Sequence, residues 1–280
     1  MEEKLVKEIE QEGVSRRQVL AGTGALAAGA ILSHVGGLIS PAVAKDGTTE
    51  QWPWPYEKLD PEKTAQLAYE EWYRVFCGAA VISSIFSQLR EKVGGPYNSF
   101  PIDSFIYLEG GQAGWGTICG APAGANMVFN LIIGPRKPLT DNTTAHEMCI
   151  DIMEWYSKAN MPIYMPKNPK VTAELPHTVS NSPLCHLSVG RWMKAANKPL
   201  ASPERKDRCA RVAASTAYRA VELLNDWKDG KYKATGEFNC GKIHGITGQQ
   251  NCNDCHGANI PEAPKAPPEA PKAPEAPKKA

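Results

Sequence analysis

From Asp60 onward the apolar residues return every three or four positions. Ala68, Trp72, Val75, Phe76, Ala79, Ile82, Phe86 and Leu89 form the series, which is the spacing of one helical face. Asp60 offers an N-cap oxygen, Pro61 suits the first helical position, and Gly94-Gly95 stops the run. A second run, Met127 to Ile133, follows Cys119-Gly120-Ala121-Pro122-Ala123-Gly124-Ala125. It predicts a buried helix of small residues starting near Trp115. Asp141 to Lys158 predicts a third helix, with Cys149, Ile152, Met153 and Tyr156 on one side. Ser182-Pro183 opens a short helix carrying Cys185, Val189 and Trp192. Ser202-Pro203 opens a long one, with Cys209, Val212, Ala213, Thr216, Ala220, Leu223 and Leu224 facing inward and an end at Gly230. Met161 to Pro176 is proline-rich and irregular, and two-residue alternation is scarce throughout. The expected class is therefore mainly α, a body of about five helices followed by a small, irregular C-terminal segment.

The two ends of the chain lack this periodicity. Ser15-Arg16-Arg17-Gln18-Val19-Leu20 reads as a twin-arginine signal, Ala21 to Ile39 as its modest apolar stretch, and Ala42-Val43-Ala44 as a cleavage site. Residues 1–44 are then an export signal, and glycines interrupt the apolar stretch in a way that argues against a retained anchor. From Pro261 a loose Pro-Glu-Ala-Pro-Lys-Ala repeat runs to the end, a low-complexity tail over 261–280. Between the ends lie a helical cysteine-bearing domain over 45–230 and a polar, glycine-containing segment over 231–260. The expected location is the periplasm, with no stable membrane span after cleavage.

Composition narrows the function. The chain has 280 residues, a formal net charge of +1 and 42% hydrophobic residues. That is enough for a substantial core, and near-neutral charge without a long basic block argues against a nucleic-acid partner. Gly110, Gly111, Gly114 and Gly116 crowd one loop, but no phosphate-loop Lys-Ser/Thr or dinucleotide fingerprint accompanies them, so close backbone packing is expected there. The eight cysteines are spread along the whole chain.

Cys252-Asn253-Asp254-Cys255-His256 is the most specific motif. Two cysteines three apart with a histidine directly after form a c-type haem attachment site. Cys252 and Cys255 would form the thioethers, and His256 would be the proximal iron ligand. The competing reading is zinc, for which Cys240 and His244 could complete a four-ligand set in a structural protein. Five further cysteines, Cys77, Cys119, Cys149, Cys185 and Cys209, sit on or beside apolar helical faces. They read as core thiols, as disulfides of an exported protein, or as ligands of an iron–sulfur cluster. Cys119 and Cys185 fall near predicted helix N-termini, where a thiolate is favoured. Twin-arginine export points the same way, because that route suits a cofactor inserted before export.

Cys77, then Gly116-Thr117-Ile118-Cys119-Gly120-Ala121-Pro122-Ala123-Gly124, then Ser182-Pro183-Leu184-Cys185-His186, then Cys209 resembles the redox-active family named for its C…GCAxxG…C…C pattern. Joined to a C-terminal haem segment, this body resembles the split-Soret cytochromes c of sulfate-reducing bacteria, over roughly Asp60 to His256. The resemblance implies a mainly helical homodimer with haems stacked near the contact and bis-histidine ligation, partly across the interface. It also implies an iron–sulfur cluster, with Cys77, Cys119, Cys185 and Cys209 as ligand candidates and Cys149 as the spare.

The chain departs from that pattern at one place. The family carries two haems per chain, yet Cys240-Gly241-Lys242-Ile243-His244 has Ile243 where the second cysteine belongs. Either Cys240 forms the single thioether of a second haem with His244 as proximal ligand, or His244 is the distal ligand of one haem. In both cases His244 binds iron. His186 is expected near the cluster or as an axial ligand from a second copy, and His146 and His177 as surface or capping residues. The expected function is an exported electron carrier with one or two haems c, an iron–sulfur cluster and redox-protein partners. A small-molecule oxidoreductase with an open haem or cluster is the alternative of a different class.

Overall fold

The computed structural model describes residues 52–134 and 141–235. The signal, the haem-attachment motif and the tail lie outside the described residues. Asp60 caps the first helix, α1 (Pro61–Lys92), by accepting the Glu62 N–H at 2.9 Å, and Pro61 occupies the first turn. A one-turn helix α2 (Pro96–Ser99) and a 3-10 turn (Ile102–Phe105) follow. The other helices are α3 (Gly120–Ile133), α4 (Thr144–Lys158), α5 (Cys185–Ala196) and α6 (Pro203–Lys228). Two short strands, β1 (Asn160–Met161) and β2 (Thr178–Val179), pair antiparallel between α4 and α5. The fold is thus mainly α, as the periodicity predicts.

The second half of α1 is the centre of the molecule. From Cys77 to Phe86 every residue is buried, because α3 and α6 both pack against it, with α4 behind them. A helix covered on several sides needs small and apolar residues all round, which the run Gly78-Ala79-Ala80-Val81-Ile82-Ser83-Ser84-Ile85 provides. Its first half is amphipathic in the ordinary way. The two halves meet at Phe76, whose φ of 60° and ψ of −166° break the helix. That region of backbone space is nearly reserved for glycine and costs about 1–3 kcal/mol for other residues. The break corrects one expectation. Phe76 was placed on the inner face by its spacing, yet it is 40% exposed, because the kink rotates it off that face.

Helix starts also differ from the sequence estimate. The small-residue helix begins at Gly120 rather than near Trp115. Gly110, Gly111, Gly114 and Gly116 all hold positive φ, and Ile118 is extended and bridged to Leu184. Long-range pairing keeps those residues out of the helix. α4 starts at Thr144 and α5 at Cys185, each about one turn late. Ser202 caps α6 as expected, its hydroxyl accepting the Arg205 N–H at 3.2 Å.

α1 and α3 touch backbone to backbone. A Cβ at Gly124 would lie 2.5 Å from the Gly78 carbonyl oxygen, and one at Gly120 would overlap the Leu108 carbonyl. Gly124→Ala is therefore expected to force the helices apart and destabilise the protein by about 1–3 kcal/mol, read as a lower denaturant midpoint. Among the described residues, no helix is long and apolar enough to cross a membrane.

Candidate metal centre

Two antiparallel segments, 116–119 and 183–186, begin the site. The Cys119 N–H donates to the Pro183 carbonyl at 2.9 Å, Cys185 N–H to Thr117 at 2.7 Å, and His186 N–H to Gly116 at 3.0 Å. Each segment runs directly into a helix. Cys119 is the N-cap of α3, and Cys185 is the first residue of α5. Two helix N-termini thus present their cysteines to one point. Their partial positive charge favours a thiolate there.

Cys77 and Cys209 complete the group. The kink at Phe76 swings Cys77 against α3, and the Gly78 N–H donates to Leu108 at 3.1 Å. Gly120, which meets Cys77 across the interface, leaves room for that approach. Cys209 arrives from the first half of α6. All four are buried, at 5–8% exposure, and all are free thiols.

The thiols interact. Cys185 and Cys77 both hydrogen-bond to Cys119 and hold it well below the usual thiol range, outweighing burial. The Tyr156 hydroxyl and the Ala121 N–H favour the Cys119 thiolate further. Cys77 and Cys185, as donors to Cys119, are pushed well up, and burial adds to that. The result is one thiolate flanked by two retained thiols. Trp72 Nε1 donates to Cys77 Sγ at 3.3 Å, and Arg208 Nη1 lies 3.9 Å from Cys209 Sγ.

Among the described residues, no set of three or more His, Cys, Asp or Glu side chains forms a ready-made metal cage. Cys77 and Cys185 hydrogen-bond to Cys119 instead. The donor chemistry nevertheless fits a thiolate-held metal: four soft ligands, largely screened from water, with a guanidinium alongside. A cavity of about 620 Å3 adjoins them and is lined by Cys77, Cys185 and Cys209. Trp72, Phe76 and Met193 give it apolar walls, and Arg205 and Lys206 also line it.

Cys149 stands apart. Its thiol meets Asn130 Nδ2 at 3.3 Å, on the far part of α3 from Cys119. Burial pushes this thiol up to about 12. Because the thiolate is the nucleophile, alkylation of Cys149 should stay slow at pH 8. It should rise tenfold per pH unit until about pH 11, where an ordinary thiol has already levelled off. Mass spectrometry of the Cys149 peptide would follow it.

His186 is exposed and also lines the cavity. His177 is exposed, and His146 is half-buried on α4. Cys240, His244, Cys252, Cys255 and His256 lie outside the described residues, but the approach to them is tied down. Tyr232 Oη donates to Asp151 on α4 at 2.7 Å, and Thr235 Oγ1 donates to the same carboxylate at 3.1 Å. Sequence reading missed Arg208, and it placed Tyr156 on the apolar side of its helix without a part in the site. Arg208 stands one helical turn from Val212 of the recognised stripe, which is the signal that could have found it.

The family model described as "Putative redox-active protein (C_GCAxxG_C_C)" matches residues 76–224, a span containing all five described cysteines. Split-Soret cytochrome c of Desulfovibrio desulfuricans (strain ATCC 27774) is 34% identical over 250 residues, covering 82% of this chain and 87% of that protein. A solved structure, described as a novel iron centre in the split-Soret cytochrome c from Desulfovibrio desulfuricans ATCC 27774, has a TM-score of 0.62 to this chain. Its identity is 33%, covering 73% of this chain and 90% of that one.

Proposed function

The chain belongs to the C_GCAxxG_C_C redox-active family and to the split-Soret cytochromes c, and on that footing we propose that it is an exported electron carrier using haem c and an iron–sulfur centre. Membership makes it a redox protein of the electron-transfer kind. The observation that carries the finer reading is the meeting of Cys77, Cys119, Cys185 and Cys209. Four separate parts of the sequence deliver them to one buried site, where Cys77 and Cys185 hydrogen-bond to Cys119 and feel Cys209 nearby.

When bound, haem c and an iron–sulfur centre supply reversible one-electron chemistry. Cys77, Cys119, Cys185 and Cys209 hold the iron–sulfur centre. Cys252 and Cys255 form the haem thioethers, and His256 and His244 bind haem iron. Either Cys240 would form the single thioether of a second haem with His244 as its proximal ligand, or His244 would be the distal ligand of the one haem. The packing of α1, α3 and α6 leaves the four sulfur-bearing residues only 5–8% exposed, which limits water at the site. The Trp72 N–H donates to the Cys77 sulfur and helps hold it in place. Two copies pair with their haems near the contact, and the twin-arginine signal of residues 1–44 sends the chain to the periplasm. Its partners there are other redox proteins.

An anaerobic reductive titration of the full chain tests this. More electrons than haems should enter per chain, reversibly, and CO should leave the reduced haem spectrum unchanged. The cavity beside the thiols favours a second reading, a small-molecule oxidoreductase. A CO-sensitive spectrum would count against the carrier, and electron uptake limited to the haems would count against the iron–sulfur centre.

A further inference from the structure

α6 carries two buried arginines with opposite surroundings. Arg211 is paired, its guanidinium 2.7 Å from Asp207 Oδ2, with both side chains almost wholly enclosed. Arg208 is 1% exposed and has no carboxylate ion pair among the described residues. Its Nη2 donates to Ser188 Oγ at 2.8 Å, its Nη1 lies near Cys209 Sγ, and its Nε has no partner. The ionisable groups that face it are Cys209, Tyr156 and Cys119. A guanidinium stays charged inside a protein, and a buried charge without a counter-ion is strongly disfavoured. The groups the fold places beside it are the Ser188 and Tyr156 hydroxyls and the sulfurs of Cys209 and Cys119.

We infer that Arg208 is the built-in countercharge of the iron–sulfur centre, a positioning residue that raises the centre's reduction potential. This rests on the reading that the four thiols hold such a centre. Four thiolates leave an iron–sulfur core with net negative charge, and each electron accepted from a redox partner adds one more. No bond forms or breaks in that step. A fixed cation in a water-poor site stabilises the reduced state more than the oxidised one, and an N–H aimed at a ligand sulfur acts in the same sense.

The test uses the full, cofactor-loaded chain with Arg208→Met, which keeps an apolar stem and removes the charge, and Arg208→Lys, which keeps the charge. Iron and acid-labile sulfide are measured per chain, and the midpoint of the reduced centre is followed by electron paramagnetic resonance. The expected result is a more negative midpoint in Arg208→Met, with Arg208→Lys close to the parent. Loss of iron and sulfide in Arg208→Met with retention in Arg208→Lys would support the inference equally, since only charge separates the two variants. An unchanged midpoint in Arg208→Met, or equal loss in both variants, overturns it. If the parent chain holds no iron beyond its haem, the reading of the thiols has failed, and the role of Arg208 falls with it.

Discussion

Cys119→Ser should empty the iron–sulfur site while leaving the haem in place. Cys119 is the sulfur that accepts hydrogen bonds from both Cys77 and Cys185, which hold it well below the usual thiol range. It also caps α3, so its sulfur sits in the field of that helix terminus. A hydroxyl fits the same space but does not ionise at neutral pH, and it is a poor ligand for soft metals. Iron in excess of haem and acid-labile sulfide should both fall to near zero, with the haem Soret band intact. The control is Cys149→Ser. Its thiol is bonded to Asn130 and is not linked to the other four, so iron and sulfide should stay at the parent level. Equal iron in the Cys119→Ser variant and the parent would remove Cys119 from the ligand set.

His244→Ala should change the haem spectrum as sharply. His256 follows Cys255 directly, and in the proposed arrangement it supplies only one axial ligand. Low-spin haem needs a second, and His244 lies in the altered copy Cys240-Gly241-Lys242-Ile243-His244 a short way upstream. If His244 is the distal ligand of that haem, its loss converts a six-coordinate spectrum to a five-coordinate one that binds CO. If His244 is the proximal ligand of a second haem on Cys240, its loss removes that haem, and the haem count halves. An unchanged spectrum and count would contradict both assignments.

Much of this was legible in the sequence, and the parts that were not share a cause. The starts of α1 and α6 are encoded locally, in Asp60-Pro61 and Ser202-Pro203, and the structure begins its helices there. The start of α3 is not local. Residues 116–118 pair with 184–186, sixty-odd positions away, and no window around Trp115 contains that partner. Phe76 fits the helical period and still leaves the core, because the kink that exposes it comes from packing around Cys77 and Leu108.

The cysteines show the same division. Motif order picks out Cys77, Cys119, Cys185 and Cys209, but Cys149 is equally apolar in its surroundings. Only the fold places it on α4, against the part of α3 far from Cys119. Arg208 is hidden by its neighbours Arg205, Lys206 and Asp207, which read as a solvated charge run. Helical phase puts it with Val212 and Thr216 and takes it inside.

The central claim is that one chain holds both haem c and a separate iron–sulfur centre. A pyridine haemochrome assay with total iron and acid-labile sulfide, all per chain of the mature protein, tests it most directly. Iron should exceed haem, and sulfide should accompany the excess. Iron equal to haem with no sulfide would contradict the claim, and zinc in place of iron with no Soret absorbance would contradict the haem assignment as well.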